Sequence, residues 1–413
     1  MTLARLPATW LVAVVCCAQV LVQLGAYTWP ALLPSYIDAW SLDYAEAGWI
    51  TGAFYLAYVF AVPVLVTLTD RIDARRVYLF GATLTALAHL GFALFADGFW
   101  SAIALRALAG VGWAGAYMTG LKLLSDRVDE RQMSRAVTGH AAGVGVAGAL
   151  SFGFAGSVAT ILGAAGAFAL AAASAGAAVL VTLVLVAPQQ PQPIHRSGTR
   201  PKLFDFGPVL RNRSAMAYAS AYCVHTWEMS ALRGWAVAFL VWVAATTQST
   251  ASEWIAPTTV ATLMGLVGTA ASVAGNEWSI RFGRQRLIRT AMLIGMLCAL
   301  LIVWLGVQSY WLAVVAVIGY ASVIWLDSSS LTAGAAGSAE PARRGATLAL
   351  HSMLGYAGGF IGPIVLGTVL HLSGGPSALA WGLAFAHLAI IGFVGRLVFT
   401  RLGPAALAGD RPS

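Results

Sequence analysis

An apolar stretch just past the middle of the chain carries three ionisable side chains. Within Tyr222–Leu240, His225, Glu228 and Arg233 lie among aliphatic and aromatic neighbours. An ionisable group at bilayer depth costs a few kcal/mol or more, so it persists where it faces protein, water or a solute. His225 and Glu228 are three residues apart and share a helical face, which allows a hydrogen bond between them. Arg233 lies about 140° around an ideal helix from Glu228, so an ion pair between them needs an irregular turn.

Asp327 is the second acid in an apolar stretch, and three serines follow it. A buried carboxyl can bind a proton in one conformation and release it in another, because its protonation depends on its surroundings. We therefore expect Glu228, with Asp327 second, to take up and release protons. The alternative is a static bond from Glu228 to a histidine or arginine that braces the helices.

Polar side chains also recur at helical spacing in the first half of the chain. A polar stripe on a lipid-embedded helix either lines an internal path or holds neighbouring helices together, and the sequence favours neither. The stripes consist of Gln19, Gln23 and Tyr27; of Thr51, Tyr55 and Tyr58; and of Arg106, Trp113 and Tyr117.

The composition places these groups in a membrane. Of 413 residues, 59% are hydrophobic and 10% are charged, whereas a soluble domain carries about 25% charged residues. The net charge of +8 is then better explained by loops that set orientation than by nucleic acid. The four cysteines form no metal-binding or disulfide pattern, and we expect no metal site and no cofactor.

Apolar stretches of about 20 residues predict an all-α integral membrane protein of about twelve transmembrane helices. The first stretch is interpreted as a retained helix and not as a cleaved signal peptide. The predicted spans are approximately 8–35, 44–69, 77–96, 99–124, 134–157, 159–187, 214–245, 254–279, 286–307, 309–336, 345–371 and 376–400.

Alternate loops carry clustered arginines, such as Arg71, Arg75 and Arg76, while the loops between them contain no Lys or Arg. The positive-inside rule therefore places both termini in the cytoplasm. The proline-rich interval 188–213 separates six predicted spans from six. It predicts a cytoplasmic linker between two six-helix bundles, 1–187 and 214–413.

This organisation, together with two loop motifs, resembles the major facilitator superfamily of secondary transporters. Thr69 to Arg76 is similar to the family's loop two-three signature, although Val66 replaces its first glycine and Asp73-Ala74 its inner one. A related pattern from Gly275 to Arg286 recurs about 210 residues later, as in a repeated half. The fourth span opens with Arg106 and spaced glycines, like the family pattern Arg-x-x-x-Gly-x-Gly.

The resemblance implies two pseudo-symmetric bundles that alternate access to a central site. It also implies a conformational latch, in which an acid facing arginines holds cytoplasmic helix ends together; the alternative is a solvated, orientation-setting loop. The residues assigned to the latch are Asp70, Arg71, Arg75, Arg76, Glu277, Arg281 and Arg284.

The function expected is secondary active transport of a small organic solute, coupled to protons, by a monomer in the inner (plasma) membrane. A membrane-embedded enzyme is disfavoured because no nucleophile elbow or His-Glu-x-x-His motif occurs. A transporter-derived sensor remains the alternative. For the solute, Arg106 and Arg233 suggest an organic anion, while the many aromatic residues equally suit an amphiphile exported by antiport.

Overall fold

The computed structural model describes residues 7–69, 71–189, 206–340, 343–403 and 407, without the side chains at 130, 131, 134 and 135. Within these ranges the regular structure is entirely helical. The helices are α1 (Ala8–Gln23), α2 (Thr28–Ala31), α3 (Leu33–Trp40), α4 (Tyr44–Leu68), α5 (Ala74–Phe95), α6 (Phe99–Ser125), α7 (Glu130–Leu185), α8 (Gly207–Arg211), α9 (Arg213–Thr246), α10 (Ala251–Trp254), α11 (Pro257–Phe282), α12 (Arg284–Gly306), α13 (Tyr310–Trp325), α14 (Ser328–Ser338), α15 (Arg344–Leu372) and α16 (Ala378–Leu402).

Ten helical stretches of the described part are long and apolar enough to cross a membrane. The all-helical membrane fold is therefore confirmed, while the count of twelve stays a prediction. The predicted spans 134–157 and 159–187 correspond to the two helical parts of α7, which are separated by a kink at Gly163. Gly163 interrupts it with φ 72° and ψ 176°, a conformation that glycine adopts most readily because it lacks a Cβ.

Two other predicted spans are also interrupted. The span 8–35 is divided into α1, α2 and α3, and the span 309–336 is divided into α13 and α14. The break before α14 matters most, because Asp327 lies in it as the residue preceding Ser328.

Several helix starts follow directly from short polar side chains that accept a backbone N–H bond. The side chain of Asn212 accepts from the N–H of Ala215 at the start of α9 (3.1 Å), and that of Ser377 accepts from Ala380 at the start of α16 (3.1 Å). Ser309 does the same for Trp311 at the start of α13 (3.2 Å). These caps explain why the predicted starts of α9, α13 and α16 lie within two residues of the observed ones.

The chain divides into two compact units. Unit 1 comprises Met1–Leu42 and Ala53–Arg196, and unit 2 comprises Asp43–Gly52 and Ser197–Ser413. In unit 1, α5 packs extensively on α6, and α1 packs on α7. In unit 2, α15 lies along α9, while α12 contacts both α13 and α16. The predicted linker 188–213 falls mostly outside the described residues, so its bounds stay a prediction.

Glycines allow close helix contacts in unit 2 because they have no side chain. A Cβ on Gly358 of α15 would lie 2.0 Å from the carbonyl oxygen of Cys223 on α9. The sequence predicts this use of the glycine-rich α15, because small residues let membrane helices approach closely. At the break before α14, a Cβ on Gly275 of α11 would lie 1.7 Å from the carbonyl oxygen of Leu326.

This contact predicts that Gly275→Ala destabilises the protein. The added methyl group must displace either α11 or the backbone at Leu326, which costs about 1–3 kcal/mol as overpacking. Thermal unfolding of the purified chain, followed by tryptophan fluorescence, measures the change.

The matched control is Gly319→Ala in α13, where a Cβ would have no neighbour within 4 Å. Because alanine favours helix over glycine by up to about 1 kcal/mol, the control should be neutral or slightly stabilising. Equal melting temperatures for the two variants would contradict the close contact at Leu326.

Candidate functional site

The two deep acids of unit 2 meet at one small cavity. Glu228 comes from α9 and Asp327 from the break between α13 and α14, and His225 lies one turn before Glu228. All three are buried, with at most 5% of each residue exposed. The cavity that they line measures about 10 Å³, close to the smallest volume that holds one water molecule.

The remaining wall of this cavity is apolar. Residues of α12 and α13 provide it, namely Ala291, Met292, Gly295, Val323 and Ile324. Neither Lys nor Arg is among the lining residues. The cavity therefore presents two carboxyl groups and one imidazole in an otherwise hydrophobic setting.

His225 contacts Asp327 and not Glu228. Its Nδ1 lies 3.0 Å from Oδ1 of Asp327, but the angles at these atoms do not suit a hydrogen bond, and neither atom makes one within the described part. The contact is therefore electrostatic. The hydrogen bond from His225 to Glu228 that the spacing allows is not formed, because Asp327 approaches the imidazole from a different helix.

Glu228 has a different partner, which the sequence did not indicate. The hydroxyl of Tyr320 on α13 donates to Oε1 of Glu228 over 3.4 Å, a long and therefore weak hydrogen bond. Tyr320 is fully buried. Tyrosine inside an apolar helix looks like a packing residue in sequence, so its role at the carboxyl emerges only from the packing of α13 on α9.

The histidines of unit 2 extend the site toward α15. The ring of Tyr222 stacks on that of His225, with centroids 5.6 Å apart, and on that of His351, with centroids 4.1 Å apart. His351 also lies 3.3 Å, through Nε2, from the hydroxyl of Thr332. His351 has no such neighbours in sequence, since residues on three helices form this cluster.

The two arginines at depth have aromatic partners. The guanidinium of Arg233 lies 4.6 Å from the ring centroid of Trp325. In unit 1, the guanidinium of Arg106 lies 4.6 Å from the ring centroid of Phe54, and its Nη1 donates to the carbonyl oxygen of Ala26 over 3.4 Å. Cation–π contacts of this kind stabilise a buried cation. They explain how Arg233 is accommodated on α9 without an irregular turn at Gly234.

The predicted polar stripes of unit 1 are buried. Gln19 and Gln23 lie on α1, whereas Tyr27 lies beyond its end, so these three do not share one continuous helix. Tyr55 and Tyr58 are buried on α4. Tyr117 on α6 stacks on His140 of α7, with centroids 6.1 Å apart and planes within 10°. The amide of Gln19 is fully buried and makes no hydrogen bond to a described residue.

The residues of the predicted latch do not form one cluster. Asp70 lies outside the described residues. Arg71, Arg76, Glu277 and Arg281 are exposed, and Arg284 is buried. Nη2 of Arg75 donates to the carbonyl oxygen of Leu183 over 3.0 Å. Glu277 and Arg281 belong to the last turns of α11, although the sequence assigns Glu277 to a loop.

An acid that the sequence analysis passed over makes the paired contact at this end of unit 1. Asp73 accepts a hydrogen bond from Nη2 of Arg127 over 2.7 Å, and both side chains are at least 92% buried. It also accepts from the backbone N–H groups of Gln189 (2.8 Å) and Arg75 (3.0 Å). One carboxylate thus joins the start of α5, the end of α6 and the chain after α7, all within unit 1.

These contacts determine the charge of Asp73. Burial acts to raise the pKa of this carboxyl, but the hydrogen bonds from Arg127, Gln189 and Arg75, with the charge of Arg127, outweigh burial and lower the pKa below its ordinary value. The pair is therefore ionised at neutral pH and braces unit 1 internally.

Comparisons with known proteins agree with this architecture. The sequence model of the Major Facilitator Superfamily matches residues 15–363. The uncharacterized MFS-type transporter YwoD of Bacillus subtilis (strain 168) is 36% identical over 93 residues, which are 22% of this chain and 20% of that protein. The chain therefore matches only about a fifth of the length of this relative.

Two solved structures share the fold at low sequence identity. The nucleoside transporter NupG superposes with a TM-score of 0.72 at 18% identity, over 95% of this chain and 98% of NupG. A bacterial homolog of the human lysosomal transporter Spinster, in an inward-facing and occupied conformation, gives a TM-score of 0.74 at 15% identity, over 98% of both chains. These similarities establish the fold alone.

The brace around Asp73 predicts a specific pH dependence of stability. Because its native pKa is lowered, Asp73 stabilises the folded chain fully above the unfolded value of about 4, and this contribution is lost as the pH falls through the native pKa. Asp73→Asn should cost about 1–3 kcal/mol at neutral pH, since it leaves Arg127 without its carboxylate. The difference in stability between Asp73→Asn and the wild type should decrease as the pH falls below about 4, because Asp73 then becomes protonated.

Melting curves of the purified chain between neutral and acidic pH measure this difference. Asp38→Asn is the control, because Asp38 is exposed on α3. The brace is refuted by an Asp73→Asn melting temperature that equals that of the wild type at neutral pH.

Proposed function

Because the chain belongs to the major facilitator superfamily, we propose that it is a secondary active transporter that moves a small organic solute by alternating access, coupled to protons. We place it in the inner (plasma) membrane with both termini in the cytoplasm, working as a monomer without a cofactor. A gradient then supplies the energy.

The observation that supports proton coupling is the cavity shared by Glu228 and Asp327. Two carboxylates in a low-dielectric interior repel each other and lose their hydration, so one must be neutralised. Neither Lys nor Arg lines the cavity, and His225 faces Asp327. A proton on Glu228 is the simplest neutralisation. Its release on exposure to the other side of the membrane would link proton movement to a change of conformation.

The helices around this cavity suit such a change. Asp327 lies in a break between two helices, where the carbonyl oxygen of Leu326 lies close to Gly275 of α11. Broken helices place backbone and side chains at the sites of secondary transporters. We assign the solute path to Gln19, Gln23, Tyr27, Tyr55, Tyr58, Arg106 and Tyr117 of unit 1, and to His225, Glu228, Arg233 and Asp327 of unit 2.

The predicted latch stays part of the proposal in a reduced form. Asp73 and Arg127 brace unit 1 and so help it to move as one body, while Asp70, Arg71 and Arg76 are assigned to the cytoplasmic latch. In unit 2 the corresponding residues are Glu277, Arg281 and Arg284.

Glu228→Gln is the decisive variant. In vesicles containing the purified chain, with an imposed pH gradient and a panel of cationic, neutral and anionic organic solutes, the wild type should accumulate at least one solute against its gradient. Glu228→Gln should only equilibrate that solute, because glutamine cannot exchange a proton. Radiolabel or mass spectrometry of the vesicle contents measures accumulation.

Glu253→Gln is the matched control, since Glu253 is exposed near the start of α11. It should accumulate solute like the wild type. Proton-driven accumulation that is unchanged in Glu228→Gln would show that this carboxyl only braces the helices.

A further inference from the structure

We propose that the cavity of His225, Glu228 and Asp327 binds a primary ammonium group, so that the transported solute is an organic amine that competes with the proton. This proposal rests on the transport function proposed above and names the solute class of the same site.

The cavity has the electrostatic character of a cation site. Two carboxyl groups line it without any Lys or Arg among its lining residues. Oδ1 of Asp327 and both ring nitrogens of His225 make no hydrogen bond to a described residue, although each residue is at least 96% buried. Nδ1 of His225 and Oδ1 of Asp327 face each other at 3.0 Å. A buried carboxylate oxygen without a hydrogen bond costs free energy, so Oδ1 of Asp327 at a cavity indicates a ligand that donates to it.

The number of acceptors fits an ammonium group. A primary ammonium has three N–H donors and no acceptor. Glu228 and Asp327 offer carboxylate oxygens, and an imidazole nitrogen of His225 that carries no hydrogen offers a third acceptor. The volume of about 10 Å³ suits a head group of about the size of water. It therefore limits the head of the solute, and the remainder of the solute must lie outside this volume.

A metal cation fits the same groups less well. Metal ligands lie about 2.0–2.6 Å from the ion, whereas hydrogen-bond acceptors lie about 2.7–3.2 Å from a nitrogen. An ammonium therefore spans a wider set of acceptors. In the described part no three His, Cys, Asp or Glu residues are grouped closely enough to hold a metal ion. The aliphatic wall, with Met292 and Ile324, also provides few of the oxygen ligands that a hard cation needs.

The two arginines that suggested an organic anion in sequence are engaged elsewhere. Arg233 lies over Trp325, and Arg106 lies over Phe54 while bonding to Ala26. An anion would also meet the two carboxyls at the cavity. The geometry thus favours the antiport alternative, in which amine and proton occupy the same carboxyls in turn and are exchanged.

Other titratable groups near α9 have separate contacts. Tyr320 donates to Glu228, His351 stacks on Tyr222, and Nε1 of Trp227 donates to Nε2 of His387 over 3.2 Å. Of the titratable groups that the structure describes, His225, Glu228 and Asp327 line the cavity, so we expect an amine to displace the proton that the proposed function assigns to Glu228.

Binding to the purified full-length chain tests the proposal with three probes of the same shape. Phenethylammonium, 2-phenylethanol and 3-phenylpropionate differ in the charge of one end. Isothermal titration calorimetry, with choline chloride as the salt, should detect binding of phenethylammonium and of neither other probe. A pH indicator in weakly buffered detergent should detect proton release on binding.

Variants of the lining residues test whether the binding heat and the proton release arise at this cavity. Glu228→Gln should weaken phenethylammonium binding about tenfold or more and abolish proton release, because a charge-assisted hydrogen bond is lost. Asp327→Asn should also weaken binding, and it keeps the test decisive if Glu228→Gln fails to fold. Glu253→Gln should bind like the wild type.

Three results would overturn the inference. One is equal binding of 2-phenylethanol, which would mean recognition of the ring alone. Another is binding of sodium at the same residues when sodium chloride replaces choline chloride. The third is a lack of amine binding by a chain whose proton-driven transport still depends on Glu228, an outcome that leaves the proposed function intact.

Discussion

The demand that an ionisable group at bilayer depth be neutralised or paired governs the organisation of unit 2. Glu228 is on the long continuous helix α9, and packed helices bury its side chain. The surrounding helices meet this demand in separate ways. Tyr320 donates to Glu228, His225 faces Asp327, and the guanidinium of Arg233 lies over Trp325.

Close packing of the helices places these partners beside the carboxyl groups. The glycines of α15 allow it to lie against α9, and Gly275 allows α11 to meet the backbone where α13 ends. The break at Leu326–Asp327 then turns a carboxyl toward α9. A site formed in this way depends on backbone positions at these glycines as well as on the acids themselves.

Sequence reasoning was most successful where local chemistry decides the structure. Lipid-length apolar stretches predict the membrane helices, and the caps at Asn212, Ser309 and Ser377 fix where three of them start. It was less successful at interruptions. The kink in α7 lies at Gly163, about five residues beyond the gap between the predicted spans 134–157 and 159–187, and the break at Asp327 depends on contacts with α11, which is distant in sequence.

The candidate site shows the same limit. The acids Glu228 and Asp327 stand out in sequence because charge is rare in apolar stretches. Their partners do not stand out, since Tyr320 and Tyr222 resemble packing residues in sequence. His225 could contact either acid, and the packing of the helices places it beside Asp327. Between α4 and α5, the motif resemblance pointed to Asp70, which lies outside the described residues. The carboxylate observed to accept three hydrogen bonds is Asp73 at the start of α5, and its partner Arg127 lies just after the end of α6.

The central claim is that Glu228 exchanges a proton within the folded protein. Infrared difference spectroscopy of the purified chain during a pH titration detects this directly, through the carbonyl stretch of a protonated carboxylic acid. The account predicts a protonated-acid band that disappears as the pH rises and that is missing from Glu228→Gln. A titrating band that persists unchanged in Glu228→Gln, or no such band in the wild type, would contradict it.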